Sequence, residues 1–110
     1  MNRMEILKEI AREITQESNQ LKDLTGYEKD FQQKCYSIWA MKEIYQRIID
    51  NPEKSPASVL ENFMADVDFY ACLNPNTSFI FAVALDSAMF IYDMCIGDVP
   101  FNEDFYILSD

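Results

Sequence analysis

The stretch NTSFIFAVALDSAMFIYDMCI, residues 76–96, decides the fold. Its spacing predicts a helix that is apolar on nearly every side, and such a helix must be covered by neighbouring helices or by a second subunit. Its large side chains are therefore expected in the core or in a subunit interface, in particular Phe81, Leu85, Met89 and Tyr92.

Residues 79–96 of this stretch approach the length of a membrane span, but Asp86 and Asp93 interrupt them. Each acid would cost roughly 2.5–3.5 kcal/mol near a bilayer centre, and no basic residue flanks the segment. The stretch is therefore interpreted as a core helix of a soluble protein that does not bind membranes.

Working outward along the chain, the pattern predicts three further helices. SPASVLENF opens one of them, with Ser55 as N-cap and Pro56 at the first helical position. The preceding residues show two amphipathic stretches separated by the LTG of residues 24–26 and closed by the DNP of residues 50–52. Gly97 is expected to end the helix of residues 76–96.

The chain contains only 2 glycines and 4 prolines in 110 residues, which disfavours a β-sandwich with many tight turns. We therefore expect an all-α, four-helix bundle-like single domain spanning residues 1–110. Its predicted elements are helices at 3–24, 27–50, 56–72 and 76–96, followed by a short acidic and aromatic tail at 97–110.

Three cysteines, Cys35, Cys72 and Cys95, lie at wide spacing inside apolar patterns. They are interpreted as buried free thiols, since an odd number of widely spaced cysteines fits neither a disulfide framework nor a zinc site. The N-terminus lacks a secretory signal pattern, so a reducing, cytoplasmic location is expected.

The charge is distributed unevenly along the chain. All nine Lys and Arg residues lie at or before Lys54, whereas residues 55–110 carry nine acids and no basic residue. This asymmetry favours an interaction surface for a basic partner. The alternative, that the acids are scattered solvated residues beside a buried helix, stays open.

Acids and aromatic residues earlier in the chain carry weaker signals. Glu5, Glu9, Glu13 and Glu17 recur every four residues, a pattern typical of a solvated helix face. Tyr36 and Trp39 fit either an interface or a wide apolar helix face.

Enzymatic function is disfavoured because the chain contains no His, which removes the usual nucleophile and base arrangements. Two glycines cannot form a nucleotide-binding loop, so no cofactor is expected. Glu61, Asp68, Asp86 and Asp93 are a weak candidate set for a divalent metal, since a spacing of seven residues separates each pair by about 10.5 Å along a helix.

The net charge of −10 opposes direct binding of nucleic acids. The chain resembles a type of protein rather than a family: small acidic proteins of phages and mobile elements that mimic nucleic acid and occupy the basic channel of a host nucleic-acid enzyme. The expected function is therefore a non-enzymatic inhibitor of this type. Its candidate partner-binding residues are Asp66, Asp68, Asp86, Asp93, Asp98, Glu103, Asp104, Phe105 and Tyr106.

The alternative is a structural or assembly module that homodimerises, or docks on a partner, through the helix of residues 76–96. The location of the acids separates the two hypotheses. One contiguous acidic face favours mimicry, whereas dispersed acids favour assembly.

Overall fold

The computed structural model describes residues 2–96 and confirms an all-α, bundle-like fold. Its α-helices are α1 (Arg3–Gln20), α2 (Glu28–Asp50), α3 (Pro56–Leu73) and α4 (Ser78–Ile96). Short 3-10 segments at Leu21–Leu24 and Pro75–Thr77 precede α2 and α4. The predicted tail at 97–110, including Gly97, lies outside the described residues.

The helix boundaries follow local signals that were visible in the sequence. Ser55 caps α3 by accepting a hydrogen bond from the Ser58 backbone N–H at 3.1 Å, as predicted. The first helix is shorter than expected, because the chain tightens into a 3-10 turn after Gln20. Gly26 then adopts a φ of 92°, a backbone conformation that favours glycine and reverses the chain into α2.

The four helices share one core. The helix α2 packs against the other three, and α4 packs chiefly on α2 and α3 while touching α1 over a short stretch. The side chains with the least exposure come from all four helices, and the largest of them are Phe63, Ile10, Ile44, Ile48, Leu60 and Ile91. This arrangement leaves part of the surface between α1 and α4 uncovered.

The buried face of α4 consists mainly of small side chains. Ala84 and Ala88 are fully buried and Ser87 is 7% exposed, while Phe79 and Phe90 remain 45% and 50% exposed. Small side chains let the α4 backbone approach α2 and α3 closely, and a Phe ring at these positions would force the helices apart. The small residues therefore allow the close approach of α4, while Ile91 and Tyr92 fill the core beside them.

The outer face of α4, called the outward stripe below, consists of exposed residues at helical spacing: Phe79, Ala82, Asp86, Phe90 and Asp93. Among the residues expected in the core or an interface, Tyr92 is buried, whereas Phe81, Leu85 and Met89 are half-buried and pack against the core edge. Among the described helices, α4 is long and apolar enough to cross a membrane, yet here it packs as one helix of the bundle.

One arginine ties the start of α1 to the α2–α3 connection. The Arg3 guanidinium donates to the Ile48 carbonyl at 2.6 Å, to the carbonyls of Asn51 and Pro52 at 3.3 Å each, and to that of Lys54. These acceptors belong to the end of α2 and the loop after it, where carbonyls lack helical partners. Arg3 therefore holds segments together that are about fifty residues apart in the sequence.

The expectation that all three cysteines are buried is wrong for Cys72. Cys95 is buried and Cys35 is half-buried, but Cys72 is exposed, and all three are free thiols. Cys72 lies near the C-terminal end of α3, away from the stripe of Val59, Phe63 and Val67 that enters the core. The apolar pattern around Cys72 suggested burial, yet the end of α3 leaves several apolar side chains in solvent.

Candidate functional site

The structure places the described members of the predicted acidic site on two helices. Asp66 and Asp68 lie on α3, whereas Asp86 and Asp93 lie on the outward stripe of α4. Asp66, Asp86 and Asp93 are exposed and Asp68 is half-buried. The remaining candidates lie outside the described residues: Asp98, Glu103, Asp104, Phe105 and Tyr106.

Asp66 is neutralised by a neighbouring arginine. Its carboxylate accepts a hydrogen bond from Arg47 Nη1 at 2.8 Å, and Arg47 Nε donates to Glu43 at 3.2 Å. The same guanidinium lies 5.1 Å from the ring centre of Phe63. Partial burial lowers the pKa of Arg47, but the bonds to Asp66 and Glu43 raise it more, so its pKa lies above the ordinary value. Asp66 therefore offers less free negative charge to a partner than the sequence suggests.

A groove of about 480 Å³ opens between α1, α2 and α4, and we call it the interhelical groove. Its lining residues are Glu13, Glu17, Leu24, Asp30, Gln33, Lys34, Ser37, Met41, Val83, Asp86, Ser87 and Phe90. It exists because α1 packs mainly on α2 and diverges from α4 along this part of the bundle. The groove combines an apolar lining with carboxylates contributed by three helices.

The charges in the groove are unbalanced. Its acids are Glu13, Glu17, Asp30 and Asp86, and Lys34 is its single basic side chain. The Lys34 ammonium group already donates to Glu17 and, at 2.9 Å, to Gln20. Glu13, Asp30 and Asp86 have no ion-pair partner among the described residues. Carboxylates that converge without cations create a negative potential at this position.

The deepest polar contact in the groove joins α2 to α4. The hydroxyls of Ser37 and Ser87 are 2.8 Å apart, and the Ser87 hydroxyl also donates to the Val83 carbonyl at 3.0 Å. Met41 and Val83, which are 2% and 6% exposed, form the apolar part of the lining beside this contact. The two serines satisfy each other, so this part of the groove presents mainly apolar surface to an occupant.

The described residues do not form a metal-binding cluster. Within residues 2–96, no group of three or more Cys, Asp and Glu side chains is arranged to hold a metal ion, so the candidate set of Glu61, Asp68, Asp86 and Asp93 does not come together as one site. No buried side-chain nitrogen or oxygen in this range lacks a hydrogen-bond partner. The groove therefore presents charged and apolar side chains whose hydrogen bonds are satisfied wherever they are buried.

Cys95 lies close to the acidic side of α1 and is protected by its surroundings. Burial raises the pKa of its thiol to about 11, and the negative charges of Glu9 and Glu13 add to this effect. The thiolate is the reactive form of cysteine, so this environment makes Cys95 unreactive near neutral pH.

A second surface feature is a set of exposed aromatic rings where α2, α3 and α4 meet. The rings of Tyr36 and Phe79 meet edge to face at 6.3 Å, and those of Tyr70 and Phe81 stack at 6.4 Å. Trp39 is 45% exposed and contacts Phe63. Tyr36 and Trp39 thus use part of their surface for packing between helices and leave part of it free, so both of their predicted roles remain compatible with their positions.

The sequence matches no protein-family model, and no curated protein or solved structure is significantly similar to it. The site is therefore defined by its geometry alone.

Sequence reasoning missed three contributors to the groove: Glu13, Glu17 and Asp30. It assigned Glu13 and Glu17 to a solvated face, whereas both are half-buried and border the groove. The signal that could have found them was their four-residue spacing, which aligns them along one side of α1. What the pattern could not show is that this side of α1 faces Asp86 across an open gap.

Proposed function

We propose that the protein is a non-enzymatic module that binds a basic surface of another protein. The observation that carries this proposal is the convergence of Glu13, Asp30 and Asp86, all without ion-pair partners, at the interhelical groove. Every acid in residues 2–96 is exposed or half-buried, so the acids without an ion-pair partner are accessible to another protein. Such a charge accelerates association with a cationic surface.

The narrower form of the proposal is an inhibitor that mimics nucleic acid and occupies the basic surface of a host nucleic-acid enzyme in the cytoplasm. Asp86 and Asp93, both exposed on one rigid helix, support it because they present negative charges at a fixed spacing of about 10.5 Å. The pairing of Asp66 on α3 with Arg47 weighs against a single uncompensated acidic face built from residues 55–110. The mimicking surface would instead combine α4 with α1 and α2.

A capture experiment tests this function. Immobilised protein is exposed to a bacterial lysate at low ionic strength, bound proteins are eluted with salt, and their binding to double-stranded DNA is measured with and without added protein. We expect a salt-eluted nucleic-acid-binding protein whose DNA binding is competed, because surface charge pairs weaken as salt screens them.

Charge variants make this experiment specific. Asp86→Lys with Asp93→Lys should abolish the competition, whereas Glu53→Lys with Glu61→Lys, the same charge change at exposed sites outside the groove, should reduce it much less. Captured proteins that do not bind nucleic acid, or that resist salt elution, would reject mimicry.

The second candidate function is assembly through α4, and the exposed rings of Phe79 and Phe90 on the outward stripe favour it. A homodimer formed there should become monomeric in sedimentation velocity when Phe79→Ser and Phe90→Ser are combined. If the wild-type protein is itself monomeric at micromolar concentration, this candidate function is rejected.

A further inference from the structure

The interhelical groove has a second property besides its charge, namely an exposed aromatic side chain at its edge. Phe90 is 50% exposed and lines the groove together with the nearly buried Met41 and Val83. An exposed Phe ring gains most when an apolar partner group covers it, because its remaining apolar surface is then removed from water. The groove therefore offers an apolar contact site flanked by carboxylates.

We propose that the interhelical groove binds a basic, amphipathic segment of a partner protein, an inference that rests on the function proposed above. An apolar side chain of the segment contacts Phe90 and Met41. Its Lys and Arg side chains lie against Glu13, Asp30 and Asp86. This geometry is that of an amphipathic helix or strand docked lengthwise in a groove, with anchors on one face and charges beside them.

The charge of the groove selects this occupant over the C-terminal tail of the chain itself. Residues 97–110 include apolar side chains that would fit an apolar groove, but they also carry Asp98, Glu103, Asp104 and Asp110 and no basic residue. Placing these acids beside Glu13, Asp30 and Asp86 would bring like charges together, which disfavours the complex. A cationic segment would instead be attracted by each of these three carboxylates.

The shape of the groove also favours an elongated segment. The groove is bordered by α1 and Leu24 of the 3-10 segment on one side, by α4 on the other and by α2 between them, and it is open rather than an enclosed cavity. Lys34, already bonded to Glu17 and Gln20, leaves the carboxylates of Glu13 and Asp86 free to contact an incoming cation. Arg side chains have the further option of stacking on the exposed Phe90 ring.

Three probes test the assignment: a synthetic amphipathic helical peptide of Leu and Lys, the same peptide with Ser in place of Leu, and spermine. Binding is measured by isothermal titration calorimetry and located by amide chemical shifts of the isotope-labelled full chain. We expect the Leu and Lys peptide to bind most tightly and to shift resonances of residues lining the groove, since it alone combines cations with an apolar anchor.

Matched variants distinguish the contribution of the groove to binding from the contribution of the overall charge. Glu13→Gln with Asp86→Asn should weaken binding of the Leu and Lys peptide about tenfold, whereas Glu53→Gln with Glu61→Gln, which removes the same charge elsewhere, should weaken it less than about threefold. Phe90→Ala should weaken it about tenfold, and Phe79→Ala, on the same stripe but outside the groove, should have little effect. Circular dichroism confirms that each variant remains folded.

Each contrary result has a distinct meaning. Equal losses in the two charge variants would overturn the groove assignment while leaving a basic partner as the proposed function. Equal affinity for spermine or for the Ser-containing peptide would overturn the apolar anchor. Self-association of the wild type that disappears in the groove variants would identify a second copy as the occupant instead. If no probe binds, the groove assignment is rejected, and the lysate capture still decides the proposed function independently.

Discussion

Neighbouring residues on α4 have opposite environments, and the difference follows from the crossing of α4 with α2 and α3. Ile91 is fully buried, whereas Phe90, one position earlier, is 50% exposed. Successive residues on an α-helix are rotated by about 100°, so Phe90 and Ile91 face different directions, and the core face of α4 includes Ile91 and Tyr92 but not Phe90. Hydropathy alone cannot decide which of Phe90 and Ile91 enters the core.

Truncation of these two residues should have very different effects. Ile91→Ala should lower the free energy of unfolding by about 2–5 kcal/mol, because it leaves a cavity at a fully packed site. Phe90→Ala should lower it by less than about 1 kcal/mol, since half of the ring is already in solvent. Urea denaturation monitored by circular dichroism measures both values. A larger loss for Phe90→Ala would mean that α4 has a different rotation in the bundle.

The cysteines should differ in reactivity according to their exposure. In the folded protein, a thiol reagent should label Cys72 first and Cys95 last, because Cys72 is exposed while burial raises the pKa of Cys95 to about 11. Labelling of Cys95 should accelerate as the pH rises toward 11, since the thiolate fraction grows in that range. Mass spectrometry of digested samples quantifies each site, with Cys72→Ser as the control. Labelling of Cys95 as fast as Cys72 would contradict its burial.

At the scale of elements, the sequence predicted most of the fold because local signals mark the helix ends. Ser55 with Pro56 fixed the start of α3, and the DNP at 50–52 fixed the end of α2. The first helix was predicted too long because residues 21–24 keep an apolar pattern that also suits a 3-10 turn. The choice between a continued α-helix and a 3-10 turn depends on how these residues pack against α2, and the sequence pattern carries no information about that packing.

The contacts of Arg3 should contribute measurably to stability. Arg3→Ala should lower the free energy of unfolding by about 1–2 kcal/mol, because the carbonyls of Ile48 and the α2–α3 loop lose a charged donor. Lys8→Ala, an exposed basic residue of the same helix, is the control and should change it by less than about 0.5 kcal/mol. Urea denaturation again provides the measurement, and equal effects would show that Arg3 acts only through its charge.

At the scale of the whole molecule, the uneven charge along the sequence is not preserved in space. Residues 1–54 contain all nine basic side chains of the protein. They also contain ten acids, and three of these, Glu13, Glu17 and Asp30, line the acidic groove. Asp66, from the half without basic residues, pairs with Arg47. The uneven distribution of charge along the sequence could not predict this arrangement, because helices from both halves of the chain pack together in one bundle. The sequence therefore showed the excess of negative charge but not where that charge lies on the folded protein.

The open gap between α1 and α4 also has a consequence for local unfolding. The helix α1 has only Ile6 and Ile10 fully in the core, and Arg3 anchors its first turn. The second half of α1 is held to α2 by the polar contacts of Lys34 with Glu17 and Gln20 and has no fully buried side chain. Its amide hydrogens should therefore exchange with solvent before those of α2, α3 and α4, whose packing stays largely intact. An occupant that bridges α1 and α4 would oppose this local unfolding, and binding would then appear as slowed exchange in the second half of α1.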